Sequence, residues 1–196
     1  MNNEELVNHR SSELGFILAE FVRVANSDIC DAAELILKTL AAGNKILVCG
    51  NGGSASDSQH FVAEMVSSFS RQVSRRGLPF IDLTSNASVV TAYSNDFDFA
   101  GVFARQVEAL GKPGDLLIAF STSGESRNIE SAIQMARNKE LGVLIFTKLN
   151  SRIAPEADVS IKVPSDNTQH IQECHLFAYH VISEIIDSQV GEGNLL

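Results

Sequence analysis

A run of hydroxyl side chains is the first feature of this sequence suited to chemistry. The segment Ser121-Thr122-Ser123-Gly124-Glu125-Ser126 holds four hydroxyls in six residues, after an apolar run at 116–120 and before a helical pattern from Arg127. A helix N-terminus offers unpaired N–H donors and a partial positive charge, so hydroxyls at that point favour binding of a phosphate monoester. Hydroxyl turns and helix capping without a ligand are the alternative for this segment taken alone.

A second candidate is the glycine-rich turn Gly50-Asn51-Gly52-Gly53-Ser54, which follows an apolar run at 45–49. Glycines let a ligand approach the backbone, and the helix expected to open near Ala55 presents further N–H donors. The turn fits a dinucleotide fingerprint, but no acidic residue lies between Glu64 and Asp82, where that fingerprint needs one. No Gly-Lys-Ser/Thr follows, which excludes a P-loop. The turn predicts one wall of a phosphate site or, alternatively, tight packing alone.

Two helical patterns carry imidazole, carboxylate and amide groups. His60 and Glu64 are four residues apart and share a helix face. At about 100° per residue, His175 lies about −60° and His180 about +80° from Gln172, so only one of these histidines is expected to join Gln172 in a site. Such nitrogen and oxygen donors suit a zinc-like ion. A surface ion pair or a capping interaction is the alternative for His60 and Glu64.

Asn95 and Asp96 lie in a break between helical patterns. Their amide and carboxylate suit the hydroxyls of a substrate, and an N-cap for the helix expected near residue 99 is the alternative.

The elements that must position these groups alternate between strand and helix. Strands are predicted near 45–49, 78–83, 116–120, 142–147 and 158–163, and helices near 14–24, 28–42, 55–69, 86–93, 99–110, 127–139 and 168–189. This alternation predicts an α/β fold with a mainly parallel sheet covered on both faces. The carboxyl ends of parallel strands meet at one edge, so the two turns are expected to lie together there.

The length predicts a single domain over residues 1–196. Its expected parts are two N-terminal helices over about 10–43, an α/β core over about 44–165 and a C-terminal helix over about 168–189. Asp28 is the expected N-cap of the second helix and Gly43 its C′ residue. The tail from Gly191 to Leu196 is expected to fray.

The composition excludes several function classes. Lys plus Arg is 15 and Asp plus Glu is 24, a net charge of −9, which argues against binding nucleic acid or an anionic membrane surface. No apolar stretch approaches the roughly 18 residues of a membrane span. Cys30, Cys49 and Cys174 are an odd and widely spaced set. They argue against a secreted disulfide framework or a Cys-rich zinc module, and they suit a reducing cytoplasm.

Taken in order, these motifs resemble the sugar isomerase (SIS) domain family and, within it, the phosphoheptose isomerases. The resemblance covers nearly the whole chain. Its motifs are Asn51-Gly52-Gly53-Ser54, His60-Phe61-x-x-Glu64, Ser94-Asn95-Asp96-Phe97, Arg105-Gln106-Val107-Glu108-Ala109-Leu110-Gly111, Ser121-Thr122-Ser123-Gly124-x-Ser126, Val163-Pro164 and Ile171-Gln172-Glu173-x-His175-x-x-x-x-His180. It implies a three-layer αβα sandwich around a five-stranded parallel sheet, assembled as a homotetramer with sites at subunit interfaces.

The resemblance also implies roles for the candidate residues. The phosphate would be surrounded by Ser54, Ser121, Thr122, Ser123 and Ser126. The sugar would be lined by Asn51, Gly52, Gly53, Asn95 and Asp96, with Glu64 and Gln172 also facing the substrate. The zinc positions of the family correspond to His60, Glu64, Gln172 and His180, and its acid/base pair corresponds to Glu64 and His180.

The implied reaction converts sedoheptulose 7-phosphate to D-glycero-D-manno-heptose 7-phosphate through an enediol, for heptose in lipopolysaccharide or another surface glycan. This chemistry needs a carboxylate base, a proton shuttle and a polarised carbonyl. Glu64, His180 and a zinc ion would supply them. A carboxylate bound tightly to zinc is a weaker base, so it is left open whether Glu64 acts as the base, as a zinc ligand or as both.

Two other functions compete with this one. A non-catalytic SIS protein could bind a replication initiator or sense a sugar phosphate, but proteins of that kind lack the glutamate found here at Glu64. An isomerase for another ketose phosphate is the second alternative. Two departures from the family pattern favour it. Ser68 stands where family members have a basic residue, although Arg71 lies nearby in sequence. The segment Thr147-Lys148-Leu149-Asn150-Ser151 stands where they have a Gly-Gly turn.

Overall fold

The structure, a computed structural model, describes residues 1–191. Residues 192–196, which make up most of the tail expected to fray, lie outside the described residues. Within residues 1–191, no helix is both long enough and apolar enough to span a bilayer.

Five parallel strands form one sheet in the part of the chain that the structure describes. They are β1 (Ile46–Gly50), β2 (Phe80–Asp82), β3 (Leu116–Ser121), β4 (Gly142–Lys148) and β5 (Val159–Val163), in the order β2-β1-β3-β4-β5. Strands β1 and β3 are buried along their whole length, which explains why their sequences are apolar on both faces. The five predicted strands are therefore confirmed.

The helices are α1 (Asn3–Ala41), α2 (Gly53–Val66), α3 (Ala87–Asp96), α4 (Val102–Leu110), α5 (Arg127–Asn138) and α6 (Thr168–Gly191). Alternate residues of each central strand point to opposite faces of the sheet. Val48 and Ile118 pack with α1, α2 and α6, whereas Leu47 and Leu117 pack with α4 and α5. The predicted three-layer sandwich around a parallel sheet is confirmed.

The prediction of two opening helices, over 14–24 and 28–42, is wrong. Helix α1 continues without a break through Asp28, which lies inside it and not at an N-cap. Ala25 and Ile29 lie one turn apart and are both buried against the core, so packing carries the helix across the polar residues between them. At the end of α1, Gly43 has a φ of 77°, as expected for a C′ glycine.

The connections of β1 and β3 create a crevice at the carboxyl edge of the sheet. These strands are neighbours, but α2 follows β1 onto one face and α5 follows β3 onto the other. In an open parallel sheet, such a divergence between adjacent strands is where ligands bind. Both candidate turns lie at this point, and α6 packs beside α2.

Candidate active site

The glycine turn is held tightly against the start of α2. The N–H of Ser54 donates to the carbonyl of Asn51 at 3.0 Å. A Cβ at Gly50 would lie 2.6 Å from the backbone carbonyl carbon of Ser54, and Gly52 has a φ of 56°. Packing therefore explains Gly50, whereas Gly52 and Gly53 are exposed at the crevice and leave the backbone open to a ligand.

Gln172 of α6 lies over the same turn. A Cβ added at Gly53 would contact the side-chain amide of Gln172, whose Cδ lies 2.9 Å from that position. The missing side chain of Gly53 thus makes room for the carboxamide, and the first turn of α2 brings two predicted site residues together.

The two candidate turns are joined by a pair of asparagines. Asn51 donates from Nδ2 to Oδ1 of Asn128 at 2.9 Å, and Asn128 donates back to Oδ1 of Asn51 at 2.8 Å. Asn128 lies in the first turn of α5 and is buried. The sequence analysis missed it, because its partner is 77 residues away and no local pattern marks the contact.

The hydroxyl turn wraps around the N-terminus of α5. Ser121 accepts from the N–H of Gly124 at 3.2 Å, and its hydroxyl lies 3.5 Å from that of Ser126. Ser126 caps α5 without a side-chain hydrogen bond, so the first N–H groups of α5 have no capping side chain as acceptor. Thr122 is half-buried and Ser123 exposed, while Ser54 is buried at the start of α2.

The end of β4 and the segment after it, where the family's Gly-Gly turn is absent, contact the hydroxyl turn. The hydroxyl of Thr147 donates to the carbonyl of Ser121 at 2.8 Å. Ser151 is buried with its side chain against Gly124, where a Cβ would contact it. Gly124 has a φ of 67°, so both backbone conformation and space require glycine there.

A cluster of three ionisable groups lies between α2 and α6. The Nε2 of His60 is 2.9 Å from Oε1 of Glu64, and the rings of His60 and His180 have centroids 5.1 Å apart. One ligand atom from each of His60, Glu64 and His180 lies within 4.8 Å of the others. Of the four predicted zinc positions, these three meet in one cluster, while Gln172 lies at the glycine turn, where its side chain packs against Gly53.

Burial lowers the pKa of His180, and the neighbouring His60 lowers it further, while Glu64 opposes both effects. The ring is therefore neutral near pH 7. A neutral imidazole can accept a proton at one nitrogen and donate one from the other, as a proton shuttle requires.

His175 has no part in this cluster. It is fully buried, with its ring 5.9 Å from that of Phe120 and 5.6 Å from that of Phe146. Burial lowers its pKa to about 3, so it is a neutral core residue. The two histidines on α6 therefore lie in different surroundings, His180 in the cluster and His175 in the core, and the expectation that one of them joins Gln172 in a site stays a prediction.

Two residues outside the cluster, Tyr179 and Asp57, lie beside His60. The hydroxyl of Tyr179 lies 2.9 Å from Nδ1 of His60, on the side of the ring opposite the contact with Glu64. Asp57 lies one turn before His60, and burial raises its pKa to about 6. Tyr179 and Asp57 were both missed from the sequence, although Tyr179 directly precedes His180 and Asp57 shares the face of α2 that carries His60.

Asn95 and Asp96 are exposed, and the Asn95 amide donates to Asp96 Oδ1 at 2.8 Å. They end α3 and do not lie in a break, because the helix continues to Asp96 and its C-cap is Phe97. The alternative that they cap the next helix is wrong, since Asp98 caps the 3₁₀ turn Phe99–Gly101. That turn lines a groove of about 320 Å³ with Asn51 and Ser126, so the end of α3 is close to the crevice.

The donor set of the cluster fits a zinc ion. Zinc is bound by imidazole nitrogen and carboxylate oxygen at about 2.0–2.2 Å, and catalytic sites use three protein ligands and an open position. His60, Glu64 and His180, with donor atoms within 4.8 Å of one another, offer three ligands of these types.

The family assignment comes from comparison with known proteins. A sequence profile of the SIS domain matches residues 12–148. The chain belongs to the SIS domain family.

Similar full-length proteins narrow this assignment. The phosphoheptose isomerase of Methylibium petroleiphilum is 45% identical over 178 residues, which is 88% of each chain. That of Roseiflexus sp. is 47% identical over 161 residues, covering 82% of this chain and 81% of the relative. Among solved structures, phosphoheptose isomerase GmhA from Neisseria gonorrhoeae has a TM-score of 0.89 at 37% identity, covering 95% of this chain and all of that one.

A phosphoheptose isomerase structure from Francisella tularensis has the same TM-score, 0.89, at 33% identity, with 96% of this chain and 100% of that chain covered. This member of the SIS family therefore belongs with the phosphoheptose isomerases and is a sugar-phosphate isomerase. The alternative of a non-catalytic regulator is not favoured by these relatives.

Proposed function

We propose that this SIS-family isomerase converts sedoheptulose 7-phosphate to D-glycero-D-manno-heptose 7-phosphate in the cytoplasm, and so supplies heptose for lipopolysaccharide or another surface glycan. The observation that carries the proposal is the cluster of His60, Glu64 and His180 on two packed helices, one of which starts at the glycine turn. A carboxylate beside a neutral imidazole is the pair that proton transfer between two adjacent carbons requires.

The phosphate is held at the hydroxyl turn. Ser121, Thr122, Ser123 and Ser126 surround the N-terminus of α5, and Ser54 adds a hydroxyl at the N-terminus of α2. Two helix N-termini supply N–H donors and positive partial charge without a lysine or arginine. The sugar hydroxyls are bound by Asn51, Gly52, Gly53, Asn95, Asp96 and Gln172.

The distance between the proposed phosphate site and the cluster of His60, Glu64 and His180 suits a long-chain sugar. His60 is six residues beyond Ser54, the proposed phosphate ligand on α2, a rise of about 9 Å along the helix. A ketose 7-phosphate carries its phosphate at one end and its carbonyl at the other, so the reacting carbons lie far from the phosphate.

The proton transfers are assigned to Glu64 and His180. Glu64 takes the proton from C1 of the ketose to form an enediol and returns it to C2, while His180 moves a proton between the two oxygens. His60, Glu64, Gln172 and His180 are the proposed zinc ligands, and a bound zinc would polarise the carbonyl. Tyr179 holds the His60 ring in place through Nδ1, as outer partners of metal-binding histidines do.

The direct test is incubation of the purified protein with a panel of ketose phosphates of five to seven carbons, with aldose formation followed in time. We expect the highest kcat/KM for sedoheptulose 7-phosphate. A higher kcat/KM for a shorter ketose phosphate would identify that sugar phosphate as the substrate instead of sedoheptulose 7-phosphate. No conversion of any ketose phosphate, with zinc added, would overturn the proposed reaction.

Replacing Ser121 and Ser123 together by Ala is expected to raise KM for the sugar phosphate about tenfold or more, because two hydroxyl donors to a charged group are lost. The fold should survive, since Ser123 lies in the turn and Ser121 is the last residue of β3, where alanine keeps the backbone hydrogen bonds of the strand. Steady-state kinetics and circular dichroism check this, with Ser188→Ala, at an exposed position near the end of α6, as the control. An unchanged KM in the double variant would place the phosphate elsewhere.

We also propose a homotetramer with sites at its subunit interfaces. Residues 3–12 of α1 are exposed throughout, and the apolar residues Leu6, Val7 and Phe16 are 40%, 67% and 67% exposed. A second copy of the chain would bury this surface.

Sedimentation velocity at micromolar concentration is expected to show a tetramer, and Phe16→Glu is expected to shift it toward smaller species. Phe16 is 67% exposed in the single chain, so the change should leave the monomer fold intact. Val24→Glu, at 37% exposure on the same helix, gives a graded comparison. A stable wild-type monomer would contradict a shared interfacial site.

A further inference from the structure

The segment between α2 and β2, residues 67–79, contains an arginine whose side chain is completely buried. The side chain of Arg75 has no exposed surface, and its Nε lies 2.5 Å from Oδ1 of Asp187 on α6, which is itself only 2% exposed. Arginine is almost never fully buried unless it is paired. This ion pair involves none of the sequence motifs, and the only arginine of this segment named from the sequence is the exposed Arg71.

The remaining donors of Arg75 hold the C-terminal end of α2. Nη2 donates to the carbonyl of Glu64 at 2.8 Å, and Nη1 donates to the carbonyl of Met65 at 2.8 Å. Carbonyls at the end of a helix lack partners within it, and a cation there also matches the helix dipole. The guanidinium therefore fixes the backbone of Glu64, the residue assigned as the base.

Asp187 connects the same pair to His180. Its second oxygen accepts from the N–H of Ser70 at 3.0 Å. The neighbouring Phe69 packs on the ring of His180 with centroids 5.7 Å apart. Asp187 is also seven residues beyond His180 on α6, which places both on one side of that helix.

We propose that Arg75 and Asp187 are positioning residues, which set the distance between Glu64 on α2 and His180 on α6. The inference rests on the proposed function of those two residues. A buried ion pair is a weak source of stability, and well-packed apolar residues often replace one without loss. The role of this pair is instead to hold Glu64 and His180 in place, through the hydrogen bonds of Arg75 to the carbonyls of Glu64 and Met65 and that of Asp187 to Ser70. Such positioning matters because a displacement of about 1 Å in reacting groups costs about a hundredfold in rate.

The test compares Arg75→Lys, Asp187→Glu and the double variant Arg75→Met/Asp187→Leu with a matched ion pair at the other end of the sheet. Lys45 and Asp115 form that pair, directly before β1 and β3, and Asp115 is 3% exposed. Lys45→Met removes a similar charge contact far from the carboxyl edge. For each variant we would measure kcat and KM, the thermal midpoint, and the Kd for Zn²⁺ added alone to the metal-free protein.

Arg75→Lys and the double variant are expected to lower kcat at least tenfold with KM within threefold, and to weaken Zn²⁺ binding about 10- to 100-fold. Lys45→Met is expected to lower the thermal midpoint and to leave kcat and zinc affinity unchanged. Assays run at a temperature where circular dichroism shows each variant folded, and Asp187→Glu, the mildest change, provides the same readouts if the others do not fold.

A folded Arg75→Lys or double variant with wild-type kcat and zinc affinity would overturn the proposal, since the pair would then be structural only. Equal losses in Lys45→Met would overturn it as well. If the wild type isomerises no ketose phosphate, the proposed function fails, but the zinc affinities still decide whether Arg75 and Asp187 hold the cluster in place.

Discussion

Glu64→Gln is expected to lower kcat about 10²- to 10⁴-fold, which corresponds to about 3–5 kcal/mol of barrier. Glutamine keeps the shape and hydrogen-bonding capacity of the side chain, but it cannot take the proton from C1. Substrate binding should stay within about tenfold, because the hydroxyl turn that holds the phosphate is separate from the base. The fold should be unaffected, since the side chain of Glu64 is partly exposed and contacts His60.

The same variant separates the two roles of this carboxylate. If Glu64 is also a zinc ligand, removal of the charge weakens metal binding along with turnover. Measuring turnover, substrate binding and zinc content on one preparation therefore distinguishes a base from a ligand. Glu130→Gln, at a partly exposed glutamate of α5 paired with Arg152, is the control and should behave as wild type. Full turnover in Glu64→Gln would remove the acid/base assignment.

The elements of the fold were predictable because local sequence determines them. The strands at 116–121 and 142–148 are almost wholly apolar and lie inside the sheet, and such short runs form strands wherever they are covered on both faces. The error at Asp28 came from applying a local capping preference where burial of Ala25 and Ile29 decides the structure. Tertiary packing regularly overrides such preferences.

The candidate site was predictable where spacing places groups on one face. His60 and Glu64 lie one turn apart, and their contact follows from the helix alone. The pairing of His180 with them followed only from the family resemblance, since α6 is more than a hundred residues away. Arg75 and Asp187 could not be found this way, because the contact joins residues 112 positions apart and neither lies in a motif.

Substitutions at two glycines of the glycine turn are expected to act differently, one on stability and the other on activity. Gly50→Ala is expected to lower the free energy of unfolding by about 3 kcal/mol or more, because the new methyl group would meet the backbone carbonyl of Ser54 and the turn would have to shift. Gly53→Ala should change it by less than about 1 kcal/mol, since Gly53 is the first residue of α2 and alanine suits a helix.

Gly53→Ala is expected to lower catalytic activity rather than stability. Its methyl group would meet the end of the flexible Gln172 side chain, which turns away and leaves the crevice, so kcat/KM should fall about tenfold or more. Urea denaturation and steady-state kinetics on both variants check this. Gly15→Ala, in α1 with no atom within 4 Å of the added Cβ, is the control and should be as stable as wild type or more so. Wild-type kcat/KM in Gly53→Ala would show that Gln172 does not act on the substrate from this position, and wild-type stability in Gly50→Ala would show that the turn can close without the glycine.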